Sequence, residues 1–243
     1  FGQIGDFPIV GDWDGDGFDE IGVFGIRDGN NPTFELDTNG NGAFDPVFGD
    51  VSFSPIPPFL FSPPIAGDFN PAVPGDEIGF LKFGEWFIDL DGDHSIEPNE
   101  QFLTNFSGRP IVGDWLNTGH DHVGSYEDGV FRFDFNGDRR FLNHNDAPTI
   151  DFEFLGGETE FPVIGDWDGD GDDNIGLFSR DRQGVVPHDQ AEWYLDLGFP
   201  DFDIPGDGLF QPPPTGRPGV PAHQQDIFYR FGADRAGQTQ FET

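Results

Sequence analysis

Cysteine is missing from all 243 residues, so neither a disulfide framework nor thiolate chemistry is open to this chain. Basic charge is nearly missing too. Eleven Lys and Arg residues stand against 46 Asp and Glu, and Lys82 is the only lysine. A formal charge of −35 repels nucleic acid and anionic membranes, which argues against both as partners. No run of about 18 apolar residues occurs, so no membrane span is expected. A serine-centred elbow, a phosphate loop and a dinucleotide fingerprint are all lacking. Carboxylate pairs abound, but at this Asp content chance pairs are expected, and none stands in an apolar setting that would raise its pKa. A chain without catalytic role is expected. It opens in mid-pattern at Phe1-Gly2, as a processed product would, so the lack of a secretory signal is uninformative.

What is there is aromatic, turn-rich and periodic. Hydrophobic residues make up only 35%, but 30 of them are Phe, and each buried Phe removes a large apolar area from water. Gly and Pro interleave evenly with short strand-like runs, which indicates tight turns rather than disorder. A Gly-Asp-aromatic step recurs at Gly11-Asp12-Trp13, Gly67-Asp68-Phe69, Gly113-Asp114-Trp115 and Gly165-Asp166-Trp167, at spacings of 56, 46 and 52 residues. A period near 50 suits one four-stranded propeller blade.

Each copy divides alike. A strand enters the step (Pro8-Ile-Val, Pro64-Ile-Ala, Pro110-Ile-Val, Pro162-Val-Ile). A second leaves it (Ile21-Gly-Val-Phe24, Ile78-Gly-Phe80, Val123-Gly-Ser-Tyr126, Ile175-Gly-Leu-Phe178), with a Gly that marks close backbone approach. A third alternates at period two (Phe34-Glu-Leu36, Trp86-Phe-Ile88, Phe131-Arg-Phe133, Trp193-Tyr-Leu195). A fourth is less regular, at Val47-Phe48, Phe102-Leu103, Ile150–Phe154 and Ile227–Phe231. No segment has a helical period. The expected fold is all-β: a β-propeller of about four four-stranded blades with calcium-binding hairpin loops, at roughly 8–53, 64–107, 110–156 and 162–232 within a single repeat domain. Phe1-Gly2 matches the tail of a fourth strand, and Gly237–Phe241 matches the lead-in to a new repeat. That phase would serve a closed ring, an open array or strand donation between subunits.

The turns after the Gly-Asp steps carry the chemistry. Calcium takes about six to eight oxygen ligands at roughly 2.3–2.6 Å, and a Gly at the sixth loop position allows the sharp turn that points them inward. Asp12, Asp14, Asp16 and Glu20 supply oxygens at positions one, three, five and nine, with the Phe18 carbonyl at seven. Asp166, Asp168, Asp170 and Asn174 do the same with the Asp172 carbonyl. A second loop type follows the third strand: Asp37, Asn39, Asn41 and Asp45 with Ala43 at seven, and Asp89, Asp91, Asp93 and Glu97 with Ser95 at seven. These four loops are the candidate sites for several Ca²⁺ ions. The competing reading is that Asp, Asn and Gly simply make β-turns. Asp68-Phe-Asn70 runs into Pro71–Pro74, and Asp114-Trp-Leu116-Asn117 loses the third oxygen, so no tight calcium is expected at either. Asp134-Phe-Asn136-Gly-Asp138 is half a site, with Leu142 at position nine. Asp201, Asp203 and Asp207 lie in an insertion after Asp196.

The stretches 8–24 and 162–178 resemble the FG-GAP/VCBS-type repeats of calcium-binding β-propellers, whose loops also occur in integrin α-subunits and secreted bacterial proteins. The resemblance extends over four copies and fades after about Asp196. It implies a metal that holds the loop, and it says little about function. Four copies are fewer than the seven usual in integrins.

With calcium in place of disulfides, the expected setting is extracellular or at the cell surface. The expected role is a structural, adhesion or self-assembling matrix or fibre subunit, with other protein subunits or cell-surface glycans as partners. One alternative is a lectin-like module stacking sugar on Trp13, Trp86, Trp115, Trp167 or Trp193, residues whose shared repeat phase favours core. Another is a polysaccharide-active enzyme. His120-Asp121-His122 lacks an evident third ligand and reads as surface polar sequence. Asn105-Phe-Ser107 is a glycosylation sequon, and Gln211–Pro221 reads as an exposed polyproline-like loop.

Overall fold

The computed structural model describes residues 1–29, 31–54, 62–103, 108–127, 130–134, 150–151, 160–180, 190–196, 227–233 and 239–242. The half-site at 135–142, the acidic insertion after Asp196, the sequon at Asn105 and the Gln211–Pro221 stretch lie outside the described residues.

Among the described residues, seventeen strands form four small antiparallel sheets, each a meander in which sequence neighbours pair. The first holds β1 (Phe7–Gly11), β2 (Glu20–Arg27), β3 (Asn31–Leu36) and β4 (Val51–Phe53). The second holds β5 (Pro64–Gly67), β6 (Glu77–Lys82), β7 (Glu85–Ile88) and β8 (Gln101–Leu103). The third holds β9 (Arg109–Gly113), β10 (His122–Glu127), β11 (Val130–Phe133) and β12 (Ile150–Asp151). The fourth holds β13 (Glu160–Gly165), β14 (Asn174–Arg180), β15 (Gln190–Asp196), β16 (Ile227–Ala233) and β17 (Thr239–Glu242).

Two expectations at the margins of the repeat are corrected. Val47-Phe48 is no strand but part of a 3-10 turn at Pro46–Phe48. Pro46 has no N–H to give a ladder, Gly49 ends the turn at φ 119°, and the fourth strand starts at Val51. The segment Gly237–Phe241 does not lead into a new sheet. Its residues Thr239–Glu242 turn back and pair antiparallel with β16, Phe241 opposite Phe231.

Register explains how the sheets stack. Side chains alternate across a strand, so Ile9, Phe24, Phe34 and Leu36 share one face of the first sheet, which we term its back. They form one buried cluster with Ile78, Phe80 and Phe87 of the second sheet's front face. The second sheet repeats this: Ile65, Leu81, Trp86 and Ile88 on its back pack against Val123 on the front of the third. On the back of the third, Ile111, Tyr126, Phe131 and Phe133 pack against Ile175, Leu177 and Tyr194 of the fourth. The middle sheets are thus buried on both faces, and β6 and β10 carry five consecutive buried residues each. The first strands follow the same order, β1 against β5, β5 against β9 and β9 against β13.

The glycines of the second strands make room for this packing. A Cβ on Gly22 would stand 2.7 Å from Leu36 and 2.9 Å from Ile9, inside van der Waals contact. One face of β2 is therefore paved by its neighbours' side chains.

Candidate metal centres

Among the described residues, every acidic loop but one is built on the same bond. The N–H at position six donates to Oδ2 of the Asp at position one: Gly17 to Asp12 at 2.8 Å, Gly42 to Asp37 at 2.6 Å, His94 to Asp89 at 2.8 Å, Gly119 to Asp114 at 2.6 Å and Gly171 to Asp166 at 3.1 Å. The residue at position six has a left-handed φ in all five, between 69° and 102°. His94 adopts it without being Gly, in a region that costs an L-residue about 1–2 kcal/mol. The loop at 68–76 departs from the pattern because Pro71 and Pro74 remove two N–H groups from it. There the Asn70 side chain donates to the Leu90 carbonyl instead.

Carboxylates converge in four groups, within 4.8 Å of one another: Asp12 with Asp14 and Glu20, Asp166 with Asp168 and Asp170, Asp89 with Asp91 and Glu100, and Asp91 with Asp93 and Glu97. In the first loop Asp16 stands outside the group, and its Oδ1 accepts from Phe18 N–H at 2.9 Å. In the last, Asn174 is buried and its Oδ1 accepts from Trp167 N–H at 3.1 Å. Glu20 does the same for Trp13 N–H at 3.2 Å. Position nine thus anchors the aromatic residue that opens the loop. Burial, followed by the charges of Asp14, Asp16 and Asp12, raises the Glu20 pKa against the hydrogen bond from Trp13.

The 37–45 loop gathers by hydrogen bonds among its own side chains. The Asn39 amide donates to Asp45 and Asp50 at 3.2 and 2.7 Å, and the Asn41 amide to Asp45 at 3.3 Å. Ala43 N–H donates to Asn41 Oδ1 at 2.8 Å, as Ser95 N–H does to Asp93 Oδ1 at 2.9 Å.

Two acidic residues of these loops went unread in the sequence. Buried Asp50 accepts from Asp45 N–H at 2.6 Å, and buried Glu100 accepts from Glu97 N–H and Leu90 N–H at 2.9 and 2.8 Å. Their shared signal is a Pro after position nine (Asp45-Pro46, Glu97-Pro98) with an acidic residue a few positions on. Glu100 also joins Asp89 and Asp91 in a carboxylate group.

The donor set fits a hard cation. Asp89 Oδ1 and both carboxylate oxygens of Asp168 are buried and have no hydrogen-bond partner. An unpaired buried carboxylate oxygen is costly, and a cation bound by oxygens would satisfy it. Burial, with Glu100, Asp93 and Asp91 nearby, pushes Asp89 up to about 6. Burial first, then Asp170, pushes Asp172 up to about 7. Asp89, Asp91, Asp93, Glu97 and Glu100 would hold one such ion, Asp12, Asp14 and Glu20 another, and Asp166, Asp168 and Asp170 a third.

Beside the metal geometry stands a second device that the Gly-Asp steps share. Asp12 N–H donates to Asp76 Oδ2 at 3.1 Å, and Asp76 N–H donates to the Asp12 carbonyl at 2.8 Å. Asp68 and Asp121 exchange the same pair of bonds at 3.0 and 2.6 Å, and Asp114 and Asp173 at 2.9 Å each. Each pair clasps one sheet to the next. The clasp explains the glycine: a Cβ on Gly11, Gly67 or Gly113 would lie 2.8, 2.6 or 2.9 Å from the partner's carboxylate oxygen. The expectation that no carboxylate stands in an apolar setting that raises its pKa is corrected here, because packing of one sheet on the next buries several of them. Burial pushes Asp121 up to about 7. Glu77, next to Asp76 and accepting from Phe69 N–H at 2.8 Å, is pushed up to about 8 by burial.

Trp86 and Trp115 are wholly enclosed in the core, so neither presents a face to a sugar. Trp13 packs at the edge of the first cluster, and Trp167 and Trp193 are half-buried. The His120 and His122 rings lie 4.8 Å apart in a cavity shared with Phe69, Asn70, Asp121 and Asp134, and among the described residues they form no group of three ligand atoms within 4.8 Å of one another. No described helix is long and apolar enough to cross a membrane. Comparison with family models, with curated proteins and with solved structures gave no match.

Proposed function

We propose that the chain is a non-enzymatic, calcium-stabilised repeat protein of β-propeller type, working outside the cell or at its surface as a structural, adhesion or self-assembling subunit. The observation that carries this reading is the recurrence of carboxylate groups in loops of one geometry, with buried oxygens at Asp89 and Asp168 that lack partners. Calcium would bind through the chain's own Asp and Glu oxygens and neutralise part of a formal charge of −35. The hairpins between successive strands would then be ordered without disulfides. Four successive antiparallel meanders, three of four strands and one of five, stacked face to face support the blade reading of the repeat. The raised carboxylates Glu77 and Asp121 bond backbone amides, Glu77 within its own hairpin and Asp121 across a sheet junction, a structural use that supports the non-enzymatic reading.

Thermal unfolding of the chain in calcium and in chelator tests the metal. Ligands that bind only the folded state stabilise by about 2.7 kcal/mol per site at a hundredfold excess over Kd. Several sites should therefore raise Tm by many degrees. An unchanged Tm would reduce the acidic loops to plain turns.

A further inference from the structure

We propose that the back of the fourth sheet and the front of the first are the two halves of one more interface of the kind that joins the sheets internally. We infer that a second copy of this chain completes it, head to tail. The proposal names the partner for the self-assembling reading above, and it rests on sheet packing rather than on metal.

The first observation is an apolar front that is exposed among the described residues. Ile21, near the start of β2, is 45% exposed, whereas its counterparts Ile78, Val123 and Ile175 are 6%, 1% and 0% exposed beneath the preceding sheet. Val10 beside it is 54% exposed, whereas its counterparts Ala66, Val112 and Ile164 each pack against a core cluster. Charge does not disqualify this front. Arg27 pairs with Asp6 at 2.8 Å and Glu35 at 2.7 Å at its outer end, and the third sheet's front, which is covered, likewise carries Arg132 beside Glu127 at 3.7 Å.

The second observation is the matching back. Val163, Phe178 and Trp193 of the fourth sheet are half-buried, while their counterparts in the first three sheets, Ile9, Phe24 and Phe34 among them, are buried. Along this face the Phe178 ring lies 4.9 Å from Trp193 and 6.4 Å from Phe161, centroid to centroid.

The clasp supplies a third and independent observation. Gly11, Gly67 and Gly113 each have a following sheet's carboxylate against them, but for a Cβ on Gly165 the three nearest atoms among the described residues all belong to Trp167. Conversely Asp19, the counterpart of Asp76, Asp121 and Asp173, is exposed and makes no clasp bond among the described residues. An Asp19 delivered to Gly165-Asp166 would restore the bond pair seen three times within the chain. One face is not self-complementary, so the contact is heterologous and propagates instead of stopping at a two-fold dimer.

Sedimentation velocity on the full chain, across protein concentration and in both calcium and chelator, tests this. The wild type should form concentration-dependent species above monomer. Association should strengthen as salt screens the repulsion between copies. Ile21→Asp sits on an exposed position, so it should keep the wild-type Tm while weakening self-association more than about tenfold, the effect of about 1.4 kcal/mol. Its intact back still caps a wild-type front, so small amounts should shorten wild-type assemblies. A wild type that stays monomeric, as closure of the fourth sheet onto the first within one chain would produce, overturns the proposal. So does an Ile21→Asp variant that associates like wild type, or one that leaves wild-type assemblies untouched. A chain that associates yet gains no Tm from calcium would sink the metal reading and leave this one standing.

Discussion

The loops at 12–20 and 114–122 occupy the same place in their sheets and teach different halves of one lesson. Both begin with a Gly-Asp-Trp step, both close with the position-six N–H on Asp Oδ2, and both clasp the following sheet. Only the first gathers carboxylates, because Asp14 and Glu20 stand where the other has Leu116 and His122. In the second loop Asp114 is satisfied without an ion. Thr118 gives it an N–H at 2.8 Å and a hydroxyl at 3.0 Å. Burial opposes ionisation of Asp114, but the amides of Thr118 and Gly119 outweigh it and hold its pKa below the usual value. Turn and clasp thus need no metal, and a cation held by the first loop would be an addition to a joint that already works.

Breaking the clasp should cost most and ignore the difference between the loops. Gly11→Ala and Gly113→Ala each place a Cβ against the partner carboxylate and a Trp ring. Overpacking of this kind costs about 1–3 kcal/mol. Both variants should lose similar amounts in urea unfolding, with and without calcium. A loss confined to calcium would mean that the Gly-Asp step serves the ion and not the joint.

Asp14→Ala sharpens the contrast from the other side. It should lower Tm in calcium by up to the roughly 2.7 kcal/mol of one site at a hundredfold excess over Kd and change little in chelator. Leu116→Ala, at the matching position of 114–122, should leave the calcium increment intact. Isothermal titration should show one site fewer for Asp14→Ala alone.

The smallest expected effect is on pH. Asp121 and Glu77 hold their protons up to about 7 and about 8 in the fold, whereas unfolded carboxylates titrate near 4. The folded state therefore binds more protons between those values, and stability falls as pH rises from about 4 to 8. Asp6 and Asp114, held below their usual values, lose their contribution only under more acidic conditions. In chelator, Tm should be higher at pH 5 than at pH 8, and Asp121→Asn should flatten that slope. A Tm that climbs with pH over this range would show that burial does not govern these groups.

Much of this was legible from residue order. The period-two aromatics of β3, β7, β11 and β15 announced strands because each presents one side to a sheet face. The Asp-x-Asp-Gly-Asp-Gly runs at 12–17 and 166–171 announced sharp oxygen-rich turns, and position-six bonds close both of them. Asp50 and Glu100 escaped because they lie beyond the loop template and reach it only after the Pro turn folds back. The 3-10 turn at Pro46–Phe48 escaped because two apolar residues look like a strand until Pro46 is weighed. The clasp escaped altogether: Asp12 and Asp76 are 64 residues apart, and nothing local says that the Gly of a Gly-Asp step makes room for a carboxylate of the next repeat.

Sequence alone determined what depends on neighbours along the chain: the all-β character, the repeat and the loops able to gather oxygens. These follow from side-chain alternation and from which residues tolerate a left-handed turn. Only the tertiary structure decided which carboxylates are buried, which are shared between sheets and which sheet faces remain uncovered. Burial and pairing across sheets are properties of surfaces brought together from distant segments, and local sequence carries no record of them.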